Sequence, residues 1–163
     1  MFNKIGRSTF VLLAALGVAA PAAQAQTATQ TVTFQVNAIN QIAFVGAPSL
    51  TITTATAGSA PTSVTDATSS WAVTTNQTGA KITASIASNM PTGLTLSSSL
   101  VAPAAATSAG FLSLSTTAVD LVTGITKLAQ GALGVSYRLD ATPAAGVVAS
   151  ATRLVTYTIT GGV

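Results

Sequence analysis

Seven side chains downstream of the N-terminal stretch could carry charge-based chemistry: Asp66, Asp120, Asp140, Lys81, Lys127, Arg138 and Arg153. The 163-residue chain has no His, Cys or Glu. A nucleophile activated by histidine, in the Ser-His-Asp or Cys-His manner, therefore cannot be assembled. A Ser–Lys dyad in an S-x-x-K spacing is also missing, because Thr78 and Gly124 stand three residues before Lys81 and Lys127. Glycoside hydrolysis needs two carboxyl groups facing each other across a cleft. Asp120 and Asp140 are the pair that could meet, although acids on solvated strand ends are the plainer reading. Zinc would need Cys or His. Calcium could take Asp66 or Asp140 from a loop, but no D-x-D-x-D-G run is present. Asn76-Gln77-Thr78 fits the N-glycosylation acceptor pattern, which arises easily by chance in a Thr-rich chain. The expectation is a protein that is not an enzyme, with no catalytic residue, cofactor or metal site.

The charge balance narrows the partners. Lys and Arg number 6 against 3 Asp, a formal +3. Lys4 and Arg7 belong to a candidate leader, and without them four basic groups face three acidic ones. Nucleic-acid binding requires a clustered basic footprint, and net +1 spread along the chain does not supply one. Mean hydropathy is +0.61, yet past the leader no run approaches the roughly 18–20 apolar residues of a spanning helix. The apolar 48% is interleaved with Thr and Ser, which is the pattern of strand interiors.

Residues 1–25 have the three parts of a secretory signal peptide. Lys4 and Arg7 form the basic region, Phe10 to Ala20 the apolar region, and Ala23-Gln24-Ala25 the small-residue cleavage site. The exported chain is expected to begin at Gln26 and to form a single domain over 26–163. Its expected destination is the cell surface or extracellular space, or the periplasm. Export permits disulfides, but this chain must rely on its core and its β ladders.

The elements that position these residues read as short alternating segments between turn signals. Val32, Phe34 and Val36 alternate with Thr31, Thr33 and Gln35, predicting a half-buried strand. Ile42 and Phe44 continue to Gly46-Ala47-Pro48, and Leu50 and Ile52 alternate with Thr51 and Thr53. Further strands are expected through Trp71–Thr75, Ile82–Ile86, Leu94–Ala102 (interrupted at Ser98), Leu112–Leu114, Leu133–Ala141 and Val155–Ile159. Thr117–Gln130 admits two readings. A capping box at Thr117–Asp120 with one apolar helical face suits a short helix. Gly124 and the β-branched residues lower helix propensity and favour a strand through Val119, Leu121, Thr123 and Ile125, with its turn around Lys127 to Gly131. Eight or nine strands joined by Gly/Pro/Asn turns describe an all-β, antiparallel sandwich, immunoglobulin-like or jelly-roll-like. Trp71 is expected as a core anchor. Among the aromatic residues, Phe111 alone falls off the apolar parity of its strand, which makes it the candidate ligand contact.

The outward parity of nearly every strand is Thr or Ser, with few charges to guard an edge against pairing with another chain. Such a surface suits strand addition, in which main-chain hydrogen bonds supply affinity and alternate side chains fill pockets. Val32, Phe34 and Val36 are the candidate assembly strand, either completing their own sandwich or inserting into a neighbour. The leader, the Thr/Ser/Ala-rich sandwich and the closing run Arg153-Leu-Val-Thr-Tyr-Thr-Ile-Thr160 resemble bacterial fimbrial and surface adhesin-type proteins. The chain differs from many pilus subunits in lacking a disulfide pair and an apolar-aromatic finish just before its C-terminus. The resemblance implies a structural surface role, with copies of the chain or other surface proteins as partners. The alternative is a secreted or periplasmic carbohydrate-binding module, with Phe111 and the 55–70 loop as its contact.

Overall fold

A computed structural model describes residues 24–163. The leader expectation rests on residues outside that range, apart from Gln24 and Ala25. The chain divides into Met1–Gln35 and Val36–Val163. In the first unit, residues 24–35 carry no helix or strand and are exposed throughout.

The second unit is an all-β structure of two antiparallel sheets, as the alternation predicts. Its strands are β1 (Asn40–Val45), β2 (Val64–Thr75), β3 (Ala80–Ile86), β4 (Leu94–Leu100), β5 (Thr107–Ser108), β6 (Leu112–Ser113), β7 (Val119–Ile125), β8 (Leu128–Ala141) and β9 (Val155–Thr160). One sheet has the order β1-β2-β8-β4-β6 and the other β5-β7-β3-β9. Between them lies a core of Trp71, Val73, Leu96, Leu100, Leu133, Val135 and Tyr137 from the first sheet. Ala80, Ile82, Ala84, Ile86, Leu121, Val122 and Ile125 meet them from the second.

The 117–130 stretch resolves as a strand. Leu121 and Val122 are neighbours in sequence yet both fully buried, which strict alternation forbids. The β3–β7 register slips between Ile82↔Val122 and Thr83↔Asp120, so the extra residue of a bulge lets both side chains turn inward. The turn is tighter than expected. β8 already starts at Leu128, and the Gly131-Ala132 signal is a bulge inside that strand opposite the β2 slip between Trp71 and Val73. Ala132 takes a φ of 57° there.

Three other expectations are corrected. Residues 31–36 form no strand, and Val32, Phe34 and Val36 are 74%, 89% and 76% exposed. Alternation alone does not make a strand, because its main chain needs a neighbour. Asn37–Ile39 lead into β1 at the level of Asn76, where β2 has ended and turned, so β2 offers no further partner. Leu50 and Ile52 likewise sit outside any strand, though Leu50 packs against the core. Conversely, β2 begins seven residues before Trp71, through a Thr/Ser/Asp stretch with little apolar alternation to announce it.

Ser98, the polar interruption in β4, is fully buried among apolar neighbours. Its hydroxyl pairs with the Tyr157 hydroxyl at 3.0 Å, which in turn donates to the Tyr137 hydroxyl at 2.9 Å. The chain of hydroxyls satisfies three groups that would each be costly to bury alone. At the turn into β4, Gly93 has a φ of 80°, and a Cβ there would sit 2.5 Å from Ala145 N. The turn needs glycine for both reasons.

Candidate assembly site

No charged residue occurs between Gln26 and Thr65, and none follows Arg153. Residues 26–65 are therefore an uncharged stretch, and the last strand is uncharged as well. The part of that stretch before β1, the arm, has apolar side chains at 32, 34 and 36 and polar ones at 31, 33 and 35, all exposed. Its downstream end is firmly held. Asn76 Nδ2 donates to Asn37 O at 2.7 Å, Ile39 N donates to Asn76 Oδ1 at 2.8 Å, and Asn76 N donates to Ile39 O at 3.2 Å. Thr75 Oγ1 then donates to Asn40 Oδ1 at 2.6 Å.

The last strand is the edge of its sheet, with β3 as its sole ladder partner among the described residues. Ala87 N donates to Leu154 O, and the β3–β9 register keeps this pairing in phase through Ser85↔Thr156, Thr83↔Thr158 and Lys81↔Thr160. Main-chain groups in an antiparallel strand alternate in direction. Those of Val155, Tyr157 and Ile159 must therefore point away from β3, toward the open edge. The same three side chains turn inward and are half-buried, while Thr156 and Thr158 are exposed.

β1, the edge of the other sheet, presents Asn40, Ile42 and Phe44 in the same half-buried way. The Phe44 ring stacks on Tyr157 with centroids 4.0 Å apart and on Trp71 at 5.9 Å. This aromatic seam bridges the sheets on the β1/β9 side. The opposite edges differ, since they end in the two-residue strands β5 and β6. Burial holds the Tyr157 phenol far above its ordinary range, and burial raises Tyr137 as well.

The charged groups are dispersed. Asp120 pairs with Lys81 at 3.0 Å, both about half exposed. Asp140, on the other sheet, takes hydrogen bonds from Ser63 Oγ and from Arg138 Nε, the latter at 3.0 Å. The Ser63 hydrogen bond is the largest influence and, with the bond and charge of Arg138, holds its carboxyl below the usual range against an opposing effect of burial. Asp66 accepts from the Thr68 hydroxyl, Thr68 N and Ser49 N, and these bonds lower its pKa too. Asp66 thus tethers the β1–β2 connection to the start of β2, and Asp120 and Asp140 stand on different sheets. Phe111 is 38% exposed, with Arg138 Cζ 4.9 Å above its ring centroid. One ring face is thereby taken by a cation. Among the described residues there is no cluster of three or more metal-ligating side chains and no helix long and apolar enough to span a membrane.

The sequence matches no family model, no characterised protein and no solved structure.

Sequence reasoning picked out Val32, Phe34, Val36 and Phe111, and the structure leaves the first three exposed and outside any strand. It also marked Leu154–Thr160 as uncharged and suited to an edge, but not which strand would be its neighbour. Alternation identifies a strand but says nothing about which neighbours it has.

The sparse titratable groups set a pH prediction. Asp66 and Asp140 have depressed folded pKa values, so their stabilisation is present above the unfolded value of 3.8 and lost as pH falls through the lowered values. Tyr137 and Tyr157 are raised, so theirs is present below 10.0 and lost as pH rises beyond it. With no histidine, thermal denaturation followed by circular dichroism should give a nearly flat Tm from about pH 5 to about pH 9.

Proposed function

We propose that this protein is an exported structural subunit that assembles with copies of itself at the cell surface by strand addition. The observation that carries this reading is the exposure of Val32, Phe34 and Val36, which alternate with polar residues in an uncharged stretch outside any strand. Exposed Phe and Val side chains are costly in water, and burying each favours association by about 1.5–3 kcal/mol. A donor on one part of the surface and an acceptor on another make a head-to-tail contact, which propagates as a filament unless the rotation closes a ring. The sandwich supplies a rigid, immunoglobulin-like or jelly-roll-like body, and the leader supplies the route out of the cell.

Electron microscopy of producing cells beside a deletion strain tests this reading. Surface filaments or a matrix layer present in the first and missing in the second are expected. Identical surfaces would overturn it.

A second reading rests on the outer face of the five-stranded sheet. There the half-exposed Phe111 ring, the Arg138 guanidinium and the Asp140 carboxylate lie in one connected group. An aromatic surface beside paired polar groups suits a carbohydrate contact. Glycan binding abolished by Phe111→Ala would favour this reading, and glycan binding unaffected by that change would remove it.

A further inference from the structure

We infer that the acceptor for the arm is the free edge of β9, and that its occupant is residues 31–36 of a second copy of this chain. The inference rests on the strand-addition reading and adds which edge is used.

Three features of β9 match the arm. The first is length, since β9 spans six residues and the alternating arm segment spans another six, about 20 Å when extended. The second is the main chain. Val155, Tyr157 and Ile159 direct their N–H and C=O groups away from β3, and a strand laid alongside would satisfy them at the usual ladder spacing. The third is the side-chain pattern. Val155, Tyr157 and Ile159 are apolar, inward-facing and half-buried, so an added strand would set Val32, Phe34 and Val36 beside them and finish covering that side of the core. The polar Thr31, Thr33 and Gln35 would then join Thr156 and Thr158 on the solvated face.

β1 is the competing edge, and it fits less well. Its three inward positions are Asn40, Ile42 and Phe44, and the Asn40 amide already accepts from Thr75. A third apolar side chain from the arm would meet that amide. The Phe44–Tyr157 stack at 4.0 Å also means that the arm adds beside β9 and does not enter between the sheets. Neither β9 nor the arm carries a charge to discourage the pairing.

The chain contains no cysteine, so introduced thiols report unambiguously. Full-length exported protein carrying Thr33→Cys would be mixed with protein carrying Thr156→Cys or Thr158→Cys, or with Ala43→Cys on the exposed face of β1. Residues opposite each other on adjacent strands lie about 4.5–5.5 Å apart at Cβ, close enough to oxidise to a disulfide. The expected result, on a non-reducing gel, is a cross-linked dimer with the β9 variants at least about tenfold more abundant than with Ala43→Cys. Preferential linkage to Ala43→Cys, or no linkage to β9 in protein that still assembles, would overturn the β9 assignment while leaving the arm as donor. No linkage to either edge, with protein that sediments as a monomer at every concentration, would overturn both.

Discussion

Phe34→Asp should leave the fold and its Tm unchanged and should abolish self-association at concentrations where the unsubstituted protein assembles. The side chain is 89% exposed, so the sandwich loses no packing when it is replaced. In the assembled state the ring would be buried against a neighbour, and losing that burial costs about 1.5–3 kcal/mol. At 1.4 kcal/mol per tenfold, this raises the concentration needed for assembly by roughly 10- to 100-fold. The carboxylate adds a desolvation penalty in the same direction. Phe34→Leu, which keeps an apolar group, should retain most of the association. Sedimentation velocity across a concentration series reads both variants, and circular dichroism checks that they remain folded.

Trp71→Ala has the largest effect expected on the fold itself. Trp71 is 1% exposed and is the largest of the fully buried side chains. Its indole Nε1 donates to Val101 O at 3.2 Å, tying β2 to the chain leaving β4. Its ring carries Phe44, which in turn carries Tyr157. Removing it would leave a cavity in a sandwich that has no disulfide to compensate. A loss of about 3–5 kcal/mol is expected, a large fraction of the total stability of a domain this size. Denaturant titration measures it as a fall in midpoint. Trp71→Phe keeps most of the volume and should cost less, losing the hydrogen bond and part of the stack.

The two substitutions separate the parts of the molecule. Phe34→Asp acts on association without stability. Trp71→Ala acts on stability first, and on association through the loss of the β1/β9 seam.

Much of the fold was legible in the sequence because burial in a two-sheet structure has period two. Ile82, Ala84 and Ile86 could face inward in one way, and so could Leu133, Val135 and Tyr137. The stretch 117–130 was harder, since Leu121 and Val122 are both buried only through a bulge that no local pattern marks. The first half of β2 was invisible for a related reason. Its Thr and Ser residues hold a ladder by their main chain, with few apolar side chains to show it. Ser98 broke the parity of β4 because its partner, Tyr157, lies 59 residues away.

The arm is the instructive failure. Val32, Phe34 and Val36 carry the same alternation as the true strands, yet they have no neighbour in the sheets of this chain. A pattern records that a segment is suited to pairing, and the topology decides whether the chain itself supplies the partner. The candidate ligand contact was partly legible. Phe111 was recognised as off-parity, but its cation partner Arg138 comes from a strand 27 residues later.

Amide hydrogen exchange of the arm tests the central claim most directly. In dilute monomer, the amides of residues 31–34 should exchange at the rate of an unstructured chain, because their segment has no ladder. In assembled protein, those that face a neighbour's edge should become protected to the level of the β3–β9 ladder. Arm amides that exchange rapidly in the assembly, or that are already protected in the dilute monomer, would contradict strand addition by this segment.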